Sequence, residues 1–318
     1  MDLRFSFSFR LGVVPPFDFR LTVRKPAGWP FLTPREKFEN NTLWTVLRPP
    51  SGEMTGLKLK SLGTIENPKI SCEIFSRGEL DAKKRGELVD EVSWVLGAKD
   101  DLREFYSLAD KDSLVKSLVN DLYGMKWTRR PDIFPSLTLA VTLQMAPIKR
   151  SQQMMDLLIE NYGEEVRFDG KAIKYWPSAE KIAEVDQKEL QERCKLGYRA
   201  KVLKGIAQRV KEGFPSPREL EKMQPEEAKA KLMELKGVGE YSADIVSPHR
   251  GFSLDVWSAK IFSLILLGKE AKNPREIIPQ LRKVSEERWG RWRGYVFIYV
   301  VNDLDKLSKK YALNLNEV

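Results

Sequence analysis

The chain has 318 residues, a formal net charge of +9, 42% hydrophobic and 31% charged residues, enough length and apolar content for two packed domains. The positive balance points to a polyanionic partner. Two cysteines and one histidine exclude a four-thiolate iron–sulfur cluster and a paired-histidine zinc site, and they give no sign of a disulfide framework. No uninterrupted run of ~18 apolar residues occurs, and the start, with Asp2 and Arg4 in an alternating pattern, does not read as a signal peptide. A cytoplasmic protein is therefore expected, although charge alone does not separate DNA from RNA or an acidic membrane surface as its partner.

Residues 5–9, 17–23, 43–47 and 69–74 alternate or form short β-branched and aromatic groups. Breaks fall at Pro15-Pro16, Pro49-Pro50-Ser51-Gly52 and Asn67-Pro68. Period two with such breaks predicts antiparallel strands, and this segment shows no recognisable chemistry. Near residue 80 the period becomes helical and stays so. Apolar residues recur at three and four positions through 87–96, 101–106, 113–123, 182–194, 202–210 and 219–235. Ser136, after Arg130-Pro131, is a predicted N-cap, and His249 sits in a linker, Ser247-Pro248-His249-Arg250-Gly251. The expected class is α+β: a small antiparallel β-rich N-terminal subdomain over 1–85, then an all-α body over 86–318.

Within that body, the run Leu235-Lys236-Gly237-Val238-Gly239-Glu240 places two glycines between helical patterns. Lacking Cβ, Gly237 and Gly239 let the backbone turn tightly and lie flat against a partner. The hairpin N–H groups and the helix start near Glu240 then suit a phosphate, a grip that carries no base sequence information. Asp255 opens the next helix. Taken singly, a Gly-x-Gly is more often an ordinary turn, and an Asp before a helix is a favoured N-cap.

Together these residues resemble the helix-hairpin-helix DNA glycosylases, whose pattern is Leu-Pro-Gly-Val/Ile-Gly, three variable residues, Ala, and later a catalytic Asp. Lys236 stands where the family usually has Pro, Ala243 is in place, and Asp255 matches the carboxylate. The 16 positions from Gly239 to Asp255 are about one helical turn fewer than in most relatives. The phrases from Leu96 to Tyr106 and from Lys195 to Lys201 resemble the 3-methyladenine DNA glycosylase II branch, in an archaeal-like form.

The resemblance implies that Asp255 is catalytic and that Gly237, Val238 and Gly239 meet the DNA backbone. Tyr241 stands where strand-cutting relatives carry a Schiff-base lysine, so a hydrolytic enzyme is implied. It and Phe134 become walls of a base pocket, joined by Trp289 and Arg293 from the Arg- and aromatic-rich run 288–300. Gln144 and Met145 are the candidate wedges into the duplex, and Lys149 and Arg150 candidate phosphate contacts. Glu240 and Asp244 read as solvated or helix-supporting. Also implied are a nucleoid-associated monomer acting on damaged double-stranded DNA, with no membrane partner, no required cofactor, and room for a structural metal ion where the hairpin meets phosphate.

Breaking the base–sugar bond creates an oxocarbenium-like sugar that a carboxylate stabilises. The nucleotide must first leave the stack, and an aromatic pocket would then attract a cationic, alkylated base. Hydrolytic removal of alkylated or deaminated purines is the function expected. An 8-oxoguanine glycosylase/lyase and a non-catalytic helix-hairpin-helix DNA-binding protein stay open as alternatives.

Overall fold

A computed structural model describes residues 1–49 and 52–311, so Pro50 and Ser51 of the expected turn lie outside the described residues. Strands β1 (Phe5–Gly12), β2 (Lys37–Glu39), β3 (Thr42–Leu47), β4 (Thr55–Ser61) and β5 (Lys69–Ser76) form one antiparallel sheet in the order β1-β5-β4-β3-β2. Register sets apolar residues opposite one another, Leu57 facing Ile74 and Leu59 facing Cys72, so one face of the sheet is continuous core. Residues 17–23 are not a strand. They form helix α1 (Phe19–Val23), whose first turn is capped by Asp18 accepting from the Leu21 N–H at 2.8 Å. Over so short an apolar run, alternation and a buried helical turn look alike.

The helical body begins with α2 (Ala82–Val95), α3 (Arg103–Ser107), α4 (Ser113–Leu122), α5 (Ile133–Leu143) and α6 (Ile148–Tyr162). Asp132, not Ser136, caps α5, accepting from the Phe134 N–H at 3.0 Å. The body is interrupted by a two-stranded hairpin, β6 (Glu164–Phe168) and β7 (Lys171–Tyr175). Its turn is Asp169-Gly170, both at positive φ, the dipeptide that favours a tight hairpin. This hairpin returns to the N-terminal sheet: the Leu3 N–H donates to the Arg167 carbonyl at 2.9 Å, and Trp44 Nε1 to Asp169 at 2.6 Å. Phe168 occupies the space where a Cβ on Gly56 would stand 2.6 Å from its ring.

Helices α7 (Ala179–Glu184) and α8 (Gln187–Arg193) divide the expected 182–194 helix, because Asp186 caps a new start. After α9 (Arg199–Lys211), Pro225 likewise separates α10 (Pro217–Lys222) from α11 (Pro225–Met233). Then follow α12 (Glu240–Val246), α13 (Val256–Leu267), α14 (Pro274–Trp289), α15 (Arg293–Asn302) and α16 (Leu304–Tyr311). One core fills the sheet, α2 and the β6–β7 hairpin; a second lies among α5 to α12; a third joins α4 to α13–α16. Among the described residues no helix is long and apolar enough to cross a membrane.

Candidate active site

The connection from α11 to α12 is built as the two glycines require. Gly237 has φ +91°, and a Cβ there would lie 2.5 Å from Val202 Cγ1, so the backbone at this point packs directly on α9. Val238 is buried, and its N–H closes the turn onto the Leu235 carbonyl at 2.9 Å. Gly239 is the N-cap of α12, with nothing within 4 Å of the place a Cβ would take. Buried Asp244 pairs with Lys229 at 3.0 Å and with Arg282 at 3.0 Å, tying α12 to α11 and α14. Glu240 is exposed and shares Arg282 at 3.3 Å.

Gln144 braces this turn from the end of α5, its Nε2 donating to the Gly237 carbonyl and to Ser242 Oγ, each at 2.8 Å. That leaves Met145 as the group that projects. It is 78% exposed on a backbone at φ +47°. Lys149 is exposed in the first turn of α6, whereas Arg150 is engaged by the Lys195 carbonyl at 2.7 Å. Among the described residues no three His, Cys, Asp or Glu side chains converge where they could hold a metal ion.

Asp255 is the N-cap of α13 in a reciprocal capping box with Ser258. Its Oδ1 accepts from the Ser258 N–H at 2.8 Å and Ser258 Oγ at 2.7 Å, and the Asp255 N–H donates to Ser258 Oγ at 2.8 Å. No side chain or backbone group among the described residues bonds Oδ2. The carboxylate borders a cavity of about 160 Å³ together with Tyr241, Trp29, Trp127, Trp257 and Phe297. A wider hollow of about 480 Å³ adjoins it, and Asp255, Tyr241, Trp29 and Trp257 stand on both walls. Burial, and next the Asp255 charge, push the Tyr241 hydroxyl well above its ordinary pKa. It therefore stays a neutral phenol.

Three expected pocket residues lie elsewhere. Phe134 is 1% exposed within the α5–α12 core, at the start of α5 and away from the cavity wall. Trp289 is buried in the third core, its Nε1 donating to Asp112 at 2.8 Å. Arg293 is paired with Glu286 and borders a different hollow, behind α14. The neighbouring Arg288 and Arg291 are likewise taken, by Asp112 at 2.6 Å and by Glu104. In this chain the 288–300 run packs helices; from it, only Phe297 and Ile298 reach the cavity.

The walls that were not anticipated are Lys25, Trp29 and Pro30 from the stretch after α1, Trp127, Thr128 and Arg130 ahead of α5, and Trp257. Trp257 follows Asp255 by two positions and was legible on that ground. The N-terminal residues were not, because only the fold brings them to α13.

No family model matches the chain. Over 272 residues it is 25% identical to a DNA-3-methyladenine glycosylase of Bacillus subtilis, covering 83% of this chain and 86% of that protein. Its fold matches the 3-methyladenine DNA glycosylase of Archaeoglobus fulgidus with a TM-score of 0.74 at 17% identity, over 96% of this chain and all (100%) of that one. The apo 8-oxoguanine glycosylase/lyase of Clostridium acetobutylicum matches with a TM-score of 0.69 at 20% identity, over 95% and 99% of the two chains. In sequence the chain is similar to a DNA-3-methyladenine glycosylase, and in fold to DNA glycosylases of the 3-methyladenine and 8-oxoguanine kinds.

Proposed function

We propose that this protein hydrolyses the N-glycosidic bond of alkylated or deaminated purines in duplex DNA, without cutting the strand. The observation that carries this reading is the Asp255 carboxylate: Ser258 fixes Oδ1, and the residue borders a cavity walled by four aromatic rings besides Tyr241. A purine flipped out of the stack would lie between those rings, with its sugar at the mouth beside Asp255. As the C1′–N9 bond lengthens, the fixed carboxylate faces the positive charge growing on the sugar and orients a water toward C1′. The Gly237–Gly239 turn and α12 start would hold a phosphate of the same strand, while Met145 fills the gap left in the duplex.

Tyr241, at the position where lyases carry lysine, supports the hydrolytic outcome. The one lysine on the cavity wall, Lys25, is held by the Thr22 carbonyl at 2.9 Å and Thr128 Oγ1 at 2.7 Å. Duplexes carrying hypoxanthine, 3-methyladenine or 8-oxoguanine, analysed with and without alkali and with borohydride, test the reading. Breaks that need alkali, with no borohydride-trapped protein–DNA adduct, are expected. Breaks without alkali plus a trapped adduct would assign the lyase reaction instead, and no abasic site on any duplex would leave only DNA binding.

A further inference from the structure

We propose that Lys25, supported by Arg130 and Thr128, selects the damaged base by donating to a carbonyl on it, so that the site favours neutral deaminated purines over cationic alkylated ones. This inference rests on the glycosylase reading and narrows its substrate. All three residues border the 160 Å³ cavity and none borders the wider hollow, whereas Asp255 and Tyr241 border both; Thr128 and Arg130 also line a small hollow beside Trp127 and Ser136. A base entering past Asp255 therefore presents its far edge to Lys25, Thr128 and Arg130.

That edge of the cavity is rich in donors. Lys25 is 9% exposed, and two of its ammonium protons are committed to Thr22 and Thr128, which leaves one for a ligand. Thr128 Oγ1 accepts from Lys25, so its own proton remains free to donate. Arg130 donates to the Pro30 carbonyl at 2.9 Å, while its buried Nε has no partner. Glu36 is the nearby carboxylate, and its oxygens accept the Phe31 and Leu32 N–H groups at 2.9 and 3.2 Å. From α15 the cavity receives only Phe297, Ile298 and Val301; Tyr241 and Asp255 are the titratable groups on its outer side.

Burial first, and then the Arg130 charge, push the Lys25 ammonium down to about 7, with Glu36 opposing. A carbonyl oxygen in the cavity holds the proton on Lys25; a cationic base drives it off. The same donors assist the chemistry. A neutral purine departs with the C1′–N9 electron pair and negative charge, which a hydrogen bond from Lys25 stabilises. Water's oxygen bonds C1′ and its proton passes to Asp255 and then to solvent, while the departed base takes up one proton. A cationic base leaves neutral and gains nothing from these donors.

Single-turnover excision of hypoxanthine (neutral, with a carbonyl), 1,N6-ethenoadenine (neutral, without one) and 3-methyladenine (cationic) tests this in the full-length protein. The hypoxanthine-to-ethenoadenine rate ratio is expected to fall about tenfold in Lys25→Met, with 3-methyladenine rising relative to both. In the unmodified protein that ratio should fall as pH rises through about 7 and beyond, and this carries the test if Lys25→Met folds poorly. Active protein with a pH-independent ratio, or with ratios unchanged in a folded Lys25→Met, overturns the role of Lys25 and leaves the glycosylase reading standing. Wild type inactive on all three duplexes overturns both.

Discussion

Ser258 Oγ donates to Asp255 Oδ1 at 2.7 Å and accepts from the Asp255 N–H at 2.8 Å, so one serine fixes both the backbone and the side chain of the candidate catalytic residue. The N-cap role that a sequence reader would set against a catalytic role is here the means of aiming the carboxylate. One oxygen serves the helix, while the residue borders the cavity.

Ser258→Ala removes the reciprocal half of that box. A loss of about 1 kcal/mol in stability is expected, since the Asp255 cap to the 258 N–H survives. Excision should slow by roughly ten- to a hundredfold as the carboxylate loses its fixed direction. Chemical denaturation and single-turnover kinetics read the two effects separately.

The two hairpin glycines should respond differently to alanine. At Gly237, φ +91° and the 2.5 Å approach to Val202 oppose any side chain, so Gly237→Ala should cost roughly 1–3 kcal/mol and weaken DNA binding by deforming the turn. Gly239 has open space around it, so Gly239→Ala should fold normally. Weaker binding by a normally folded Gly239→Ala, measured by fluorescence anisotropy on duplex DNA, would locate the close approach of the backbone to phosphate.

Met145 is 78% exposed at φ +47°, a conformation that glycine adopts without cost. Met145→Gly is expected to be at least as stable as wild type yet slower in excision from a fully paired duplex. A damaged base placed opposite an abasic site, where less must be unstacked, should restore much of the rate.

Lys126 gives a pH signature for the fold itself. Its Nζ donates to the Val14 and Asp100 carbonyls, each at 2.7 Å, and burial first, with Arg129 adding, pushes it down to about 8 while Asp100 and Asp101 oppose. Above that value the native ammonium has shed its proton, while the unfolded lysine keeps its own up to the ordinary value of 10.5. The unfolded chain binds more protons there, so this contribution makes stability rise with pH. Wild type should therefore gain on Lys126→Met between pH 8 and 10 in urea titrations; a pH-independent difference would contradict that assignment.

The long helices and the central strands were legible because their apolar spacing repeats, and the hairpin glycines and Asp255 because backbone chemistry restricts what can stand there. Phe134, Trp289 and Arg293 were misplaced for one reason: an aromatic or arginine reads the same in sequence whether it lines a cavity or, like Trp289 on Asp112, ties two helices. The β6–β7 hairpin carried its signal in Asp169-Gly170 and was hidden by the helical patterns around it. Lys25 and Trp29 carried none, since nothing local marks the loop after α1 as a wall beside Asp255.

The most direct test is Asp255→Asn. Asparagine caps a helix about as well as aspartate, so the melting curve and the affinity for duplex DNA should stay near wild type. What is lost is the negative charge facing the sugar, and single-turnover excision of hypoxanthine should fall by at least about 100-fold. An Asp255→Asn protein that releases the base at the wild-type rate would contradict the assignment of Asp255 and return the cavity to a binding role.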